Sequence, residues 1–211
     1  PAYTFVTGMV QGEELNTVTA ISNLDYQSSV PLSYIWPLYS SQSSGVPTIW
    51  LEELWSEVFA GQRPAEYRTD VRGWLDSAAF NTAWRNFMTL ALLHDIPVWT
   101  NATVARREAL YGQMDDFGVG ASTFEGYWES GPDWPTKPVL ISAYLRPEVP
   151  AMLVIAANVT AIPQTVSTDT IANWLAAANL PAALGDVVSR YATTGAEMVV
   201  PPHDFALIDV R

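Results

Sequence analysis

The chain has no cysteine and only two histidines among its 211 residues. Disulfides, thiolate nucleophiles and zinc sites built on cysteine are therefore excluded, and little is left to hold any transition metal. Basic residues are also scarce: ten Lys and Arg stand against 22 Asp and Glu, a formal net charge of −12. Such a balance repels phosphate backbones and anionic lipid surfaces, which argues against nucleic acid as a partner. The longest apolar run, Ala151 to Ala157, falls far short of the ~20 residues a bilayer-spanning helix needs, so no membrane insertion is expected. No phosphate loop, Ser-His-Asp motif or metal-ligand spacing occurs, and neither a cofactor nor a metal is expected. The chain opens PAYTF with no basic or apolar leader, and Pro1 reads as the cut end of something larger.

The residues that dominate instead are apolar and aromatic. Hydrophobic residues make up 49%, with nine Trp, nine Tyr and seven Phe, a load that exceeds what a core alone absorbs. A chain of this length forms one large domain or two small ones and buries roughly 70% of its unfolded surface. Ala2 to Val10 alternates like a strand, and Asn16 to Asn23, rich in β-branched residues, closes a hairpin-like unit with it. Residues 25–44 read as a Pro-blocked loop. Pro47 to Phe59 begins extended and turns helical, with Leu51, Leu54, Trp55 and Phe59 on one side and Glu52, Glu53 and Glu57 on the other. Ser77 is a suitable N-cap for a helix from Ala78 to Leu93 whose apolar face holds Phe80, Trp84, Phe87, Met88, Ala91 and Leu92. Pro97 ends that stretch and starts a short extended piece, the rhythm of an α/β repeat.

The character of the chain changes in the segment MDDFGVGASTFEGYWESGPDW, residues 114–134. A helix-like run from Ala105 to Met114 turns there through Gly118 and Gly120, and the chain beyond is β-branched and punctuated by Pro and Gly. VLISAYL (139–145), MLVIAANVT (152–160), 196–200 and 205–210 read as strands of an antiparallel sheet or sandwich; 169–178 is a helix or an irregular crossover. The predicted fold class is therefore α+β, a helical α/β half followed by an antiparallel β-sandwich-like half, with a boundary between residues 1–134 and 135–211.

Residues 88–211 resemble the C-terminal region of large bacterial glycoside hydrolases, where the last helices of a barrel run into an antiparallel β-sandwich. LLHDIPVW (92–99), the FGV…FEGYW unit (117–128) and the closing strands carry the resemblance. It implies a carbohydrate partner, together with the missing barrel part or other subunits, and an extracellular or cell-surface location, with the cytoplasm as the alternative. A complete eight-fold barrel takes ~250 residues, so the isolated chain is expected to be glycoside hydrolase-like yet inactive.

Glycoside hydrolysis ordinarily needs two carboxyls about 5–5.5 Å or ~6.5–9.5 Å apart, one with a raised pKa. The catalytic candidates are Glu52, Glu53 and Asp95, the last as part of a His94–Asp95 acid-base pair; Asp115 and Asp116 sit at a helix end. Solvated helix faces and turns account for the same residues more simply. For substrate binding, Tyr127, Trp128 and Trp134 with Glu125 form a flat-faced, acid-bearing set in a Gly/Pro-rich segment, suited to stack on sugar rings and hydrogen-bond their hydroxyls. The competing reading packs those rings into the core. Two sequons, Asn101-Ala102-Thr103 and Asn158-Val159-Thr160, are both geometrically open to modification at this level. Three classes of function remain: part or subunit of a glycosidase, a non-catalytic glycan-binding module, or a structural subunit of an extracellular assembly.

Overall fold

The computed structural model describes residues 9–11, 25–29, 32, 33, 35, 48–51, 63–131, 133–180, 187–191 and 198–211. The hairpin partner at 16–23, the helix expected after Leu51 and the two glutamates Glu52 and Glu53 lie outside these residues. The fold is α+β, in two compact units, Pro1–Thr103 and Val104–Arg211. The boundary expected at 134/135 falls inside the second unit, because the strand Thr123–Glu125 pairs with the strand that begins at Val139. Sequence spacing marked the change from helix to strand but not this pairing across it.

In the first unit β1 (Met9–Gln11), β2 (Thr48–Leu51) and β3 (Val98–Trp99) form a parallel sheet in that order. The described partner of β1 is thus a parallel strand, and parallel neighbours need a crossover. A short helix α1 (Tyr26–Ser29) occupies part of the stretch that reads as a loop. Helix α2 (Val71–Asp76) starts on Asp70, whose carboxylate accepts the Gly73 N–H at 2.9 Å.

Helix α3 (Ala78–Leu93) has the bounds its sequence predicts, with the Ser77 hydroxyl accepting the Phe80 N–H at 3.0 Å. Its burial goes beyond one face. Arg85, Asn86 and Thr89 are closed in together with the apolar residues, so α3 is a core helix. The buried amide of Asn86 donates to Asp25 and accepts the Gln27 N–H, tying α1 to α3. Trp50, Phe87 and Tyr26 stack edge to face beside this contact, with the Trp50 and Tyr26 centroids 4.5 and 5.0 Å from Phe87.

The second unit opens with α4 (Val104–Phe117), which ends where Gly118 takes a left-handed φ of 89°. There the Arg146 guanidinium donates to the Phe117 carbonyl at 2.9 Å. The main sheet is antiparallel, of five strands in the order β4 (Thr123–Glu125), β5 (Val139–Arg146), β6 (Ala151–Asn158), β10 (Phe205–Val210) and β8 (Val187–Tyr191). A two-stranded ribbon of β7 (Gln164–Val166) and β9 (Met198–Val200) stands apart. On one face of the sheet Ala143, Val154 and Ile208 share a core with Ile171, Trp174 and Leu175 of α5 (Thr168–Ala177) and with Val166 and Val200 of the ribbon. Among the described residues this face is covered by a helix and a two-stranded ribbon, so of the expected antiparallel sheet or sandwich it is the sheet that is seen. Strands β6 and β10 are buried at every position, which accounts for their continuous apolar sequence.

Candidate functional site

Asp95, the one catalytic candidate that is described, terminates α3. It takes φ 53°, its N–H reaches the Leu92 carbonyl, and the Ile96 N–H closes back on Ala91 at 2.9 Å. Those two bonds form a Schellman cap with Asp95 in the left-handed position. His94 beside it is fully buried, its Nδ1 2.7 Å from the Leu90 carbonyl, and burial pushes its pKa down to about 4. The ring is neutral at pH 7 and donates from Nδ1. The expected acid-base pair is thus a helix end in which the imidazole satisfies a carbonyl.

The substrate-binding set, by contrast, is gathered in one place. β4 pairs with β5 so that Phe124 lies opposite Tyr144, their rings 5.1 Å apart. The chain then enters a 3-10 turn, Tyr127–Ser130, fixed to the sheet by the Tyr127 N–H donating to the Ser142 hydroxyl at 3.0 Å. A second 3-10 turn, Trp134–Thr136, comes after the left-handed Gly131. Tyr127 is buried between Trp128 and Trp134, centroids 5.1 and 5.0 Å away at steep angles, while both indoles remain partly exposed. The Trp128 indole lies so close over Gly126 that a Cβ there would overlap it, so space rather than backbone conformation calls for glycine at this position. Tyr127 is part of the core, while Trp128 and Trp134 keep part of their surface exposed.

Glu125 supplies the polar edge. It is half-buried at the end of the edge strand, and burial, then the neighbouring Glu129 charge, raise its carboxyl above the usual range. The Tyr127 hydroxyl is pushed up by burial, so it stays protonated and able to donate.

Next to the turn is a cavity of about 210 Å³. Tyr127, Ser130, Lys137, Thr170, Asn173 and Trp174 form its walls, and the first residues of β5 its apolar side. Helix α5 brings Thr170, Asn173 and Trp174 there, and its start is fixed by a capping box between Ser167 and Thr170. That S-x-x-T spacing was legible; that the helix would face the 127–130 turn was not, because it depends on strand register and crossover.

The two sequons part company. Asn101 is exposed in the loop after β3. Asn158 is fully buried: its amide nitrogen lies within 3.1 Å of the Ile162, Val200 and Pro201 carbonyls, and its oxygen accepts from the Thr160 N–H and hydroxyl. The expectation that both are open fails at Asn158, where the side chain ties the end of β6 to the β9–β10 connection.

Among the described residues no cluster of His, Asp and Glu suits a metal ion, and no helix is long and apolar enough to cross a membrane. No family model, curated protein or solved structure matches the chain.

Proposed function

We propose that the chain is the C-terminal part or a subunit of a carbohydrate-active, glycoside hydrolase-like protein, and that by itself it binds glycan without cleaving it. The observation that carries this reading is the partly exposed Trp128–Trp134 pair braced on a buried Tyr127, in the segment that opens with the partly buried Glu125. Indole faces stack on the C–H faces of sugar rings, and a nearby carboxyl such as Glu125 accepts from their hydroxyls. Rigid placement matters, since ring faces held by neighbours lose little entropy on binding. The proposed partners are carbohydrate together with the barrel or subunits that complete the protein, and the proposed location is extracellular or cell-surface, where polysaccharide is met.

One observation favours a second reading. A carboxyl raised by burial beside another carboxylate is the pattern of a general acid, and Glu125 with Glu129 shows it. Calorimetric titration of the purified chain with soluble oligosaccharides, run alongside a hydrolysis screen on chromogenic glycosides, separates the two. Binding weakened roughly tenfold by Trp128→Ala or Trp134→Ala, with no turnover above a heat-inactivated control, supports the binding reading. Turnover that disappears in Glu125→Gln establishes the catalytic one, and binding indifferent to both Trp substitutions defeats the proposed platform.

A further inference from the structure

The cavity beside the aromatic turn is lined by polar side chains as well as apolar ones. Its lining residues include one cation, Lys137, and no carboxylate, in a protein with 22 acids and ten bases. Glu125 and Glu129, though close in sequence, do not line it. The Lys137 side chain is exposed and makes no ion pair among the described residues, while its backbone is fixed by an N–H bond to the Trp134 carbonyl at 3.1 Å. An ammonium with no ion pair among the described residues is a point charge with three donors open to water or a ligand. Asn173 and the Thr170 hydroxyl add groups that can donate, and both are placed by α5.

A second feature lies in the wall. Trp174 is 6% exposed, and its indole N–H is buried with no hydrogen-bond partner among the described residues. An orphaned buried donor is destabilising and uncommon, and this one belongs to a residue of the cavity wall. The cavity is smaller than the range for drug-sized ligands and is open to the turn that carries Tyr127. A single ring-sized unit with a negative group fits these constraints of size, donors and charge.

We propose, resting on the glycan-binding reading, that this cavity is the specificity pocket of the platform and that it takes an acidic sugar unit, a uronate, whose carboxylate is met by Lys137. In this arrangement the indoles of Trp128 and Trp134 hold neighbouring neutral faces of the chain, and Lys137, Asn173 and Thr170 select the charged one. The net charge of −12 makes the selection sharper, since it repels a polyanion in general, while the lining of this cavity carries a cation and no carboxylate.

Titration of the intact chain with oligomers of galacturonate, glucuronate and mannuronate, each beside its methyl ester, tests this directly, because esterification removes the charge and leaves the ring faces. The proposal expects at least one acid form to bind about tenfold more tightly than its ester. That gap should close in Lys137→Gln and shrink at high salt. Lys137 is exposed, so the variant folds; Trp174→Phe, which keeps an aromatic ring and removes the N–H, should reduce affinity for acid and ester alike. Esters binding as well as acids, or a gap that survives in Lys137→Gln, overturns the proposal and leaves the glycan platform standing. No binding to acids, esters or neutral oligosaccharides overturns both.

Discussion

The end of α3 and the turn from Phe124 to Lys137 hold the same kinds of residue and use them oppositely. At the first, His94 and Asp95 sit side by side, as an acid-base pair would, yet the imidazole is sealed in and the aspartate is spent on a left-handed cap. At the second, one tyrosine is sealed in and everything around it, two indoles and a carboxyl, keeps a surface. The lesson is that adjacency of reactive groups says little; what matters is the surroundings of each, as the buried imidazole already bonded to a backbone carbonyl illustrates.

The contrast can be broken most forcefully at Tyr127. If its ring is the brace of the turn, Tyr127→Ala should lower unfolding free energy by about 3–5 kcal/mol, the range for truncating a buried aromatic, as read from urea denaturation. Trp128→Ala should cost visibly less, since its ring is partly exposed already.

His94 is tested by pH. Its folded pKa of about 4 lies below the ordinary value of 6.5, so between those values the unfolded chain binds the extra proton. Stability should be full above pH ~6.5 and fall by roughly 3 kcal/mol as pH drops through the window to about 4. His94→Asn, which retains a donor for the Leu90 carbonyl but does not titrate, should flatten that limb. A limb unchanged in the variant would assign the pH dependence to other groups.

Asn158 extends the comparison to a third polar residue claimed by backbone. Asn158→Ala removes the amide donor from the carbonyls of residues 200 and 201 and leaves that of 162 to the Thr160 hydroxyl, and should cost roughly 2–3 kcal/mol. In a glycosylating host, secreted folded protein should carry no sugar at this position, as read by peptide mass mapping. The smallest effect belongs to Asp95. Asp95→Gly relieves the left-handed backbone at φ 53° and should stabilise by about 0.5–1 kcal/mol, with glycan affinity unchanged. A loss of activity or binding there would return Asp95 to the site.

Much of the fold was readable in the sequence, and the parts that were not have a physical cause. Ser77 and the 3.6-residue spacing after it located α3 to the residue, because capping and periodicity are local. The strands 139–146 and 205–210 announced themselves by β-branched, apolar runs. Short strands did not: three-residue β4 and β7 carry no period to detect, and they exist because partners arrive from elsewhere. The position of the unit boundary failed for that reason. Of the candidate site, the residue types around 125–134 marked an aromatic, acid-bearing turn, and its rings do lie against one another. The pocket residues Lys137, Thr170, Asn173 and Trp174 were not legible as a group, because α5 reaches the turn only through the register of the sheet beneath it.

The central claim is that Trp128 and Trp134 meet sugar while the fully buried Trp84 holds the fold. Indole N–H resonances in a ¹H–¹⁵N correlation spectrum report each ring separately. On titration with an oligosaccharide that binds, the Trp128 and Trp134 signals should move progressively and saturably. The Trp84 signal, whose N–H is bonded to the Thr100 hydroxyl at 3.1 Å in the core, should stay in place. Saturable binding that leaves both Trp128 and Trp134 unmoved would contradict the account.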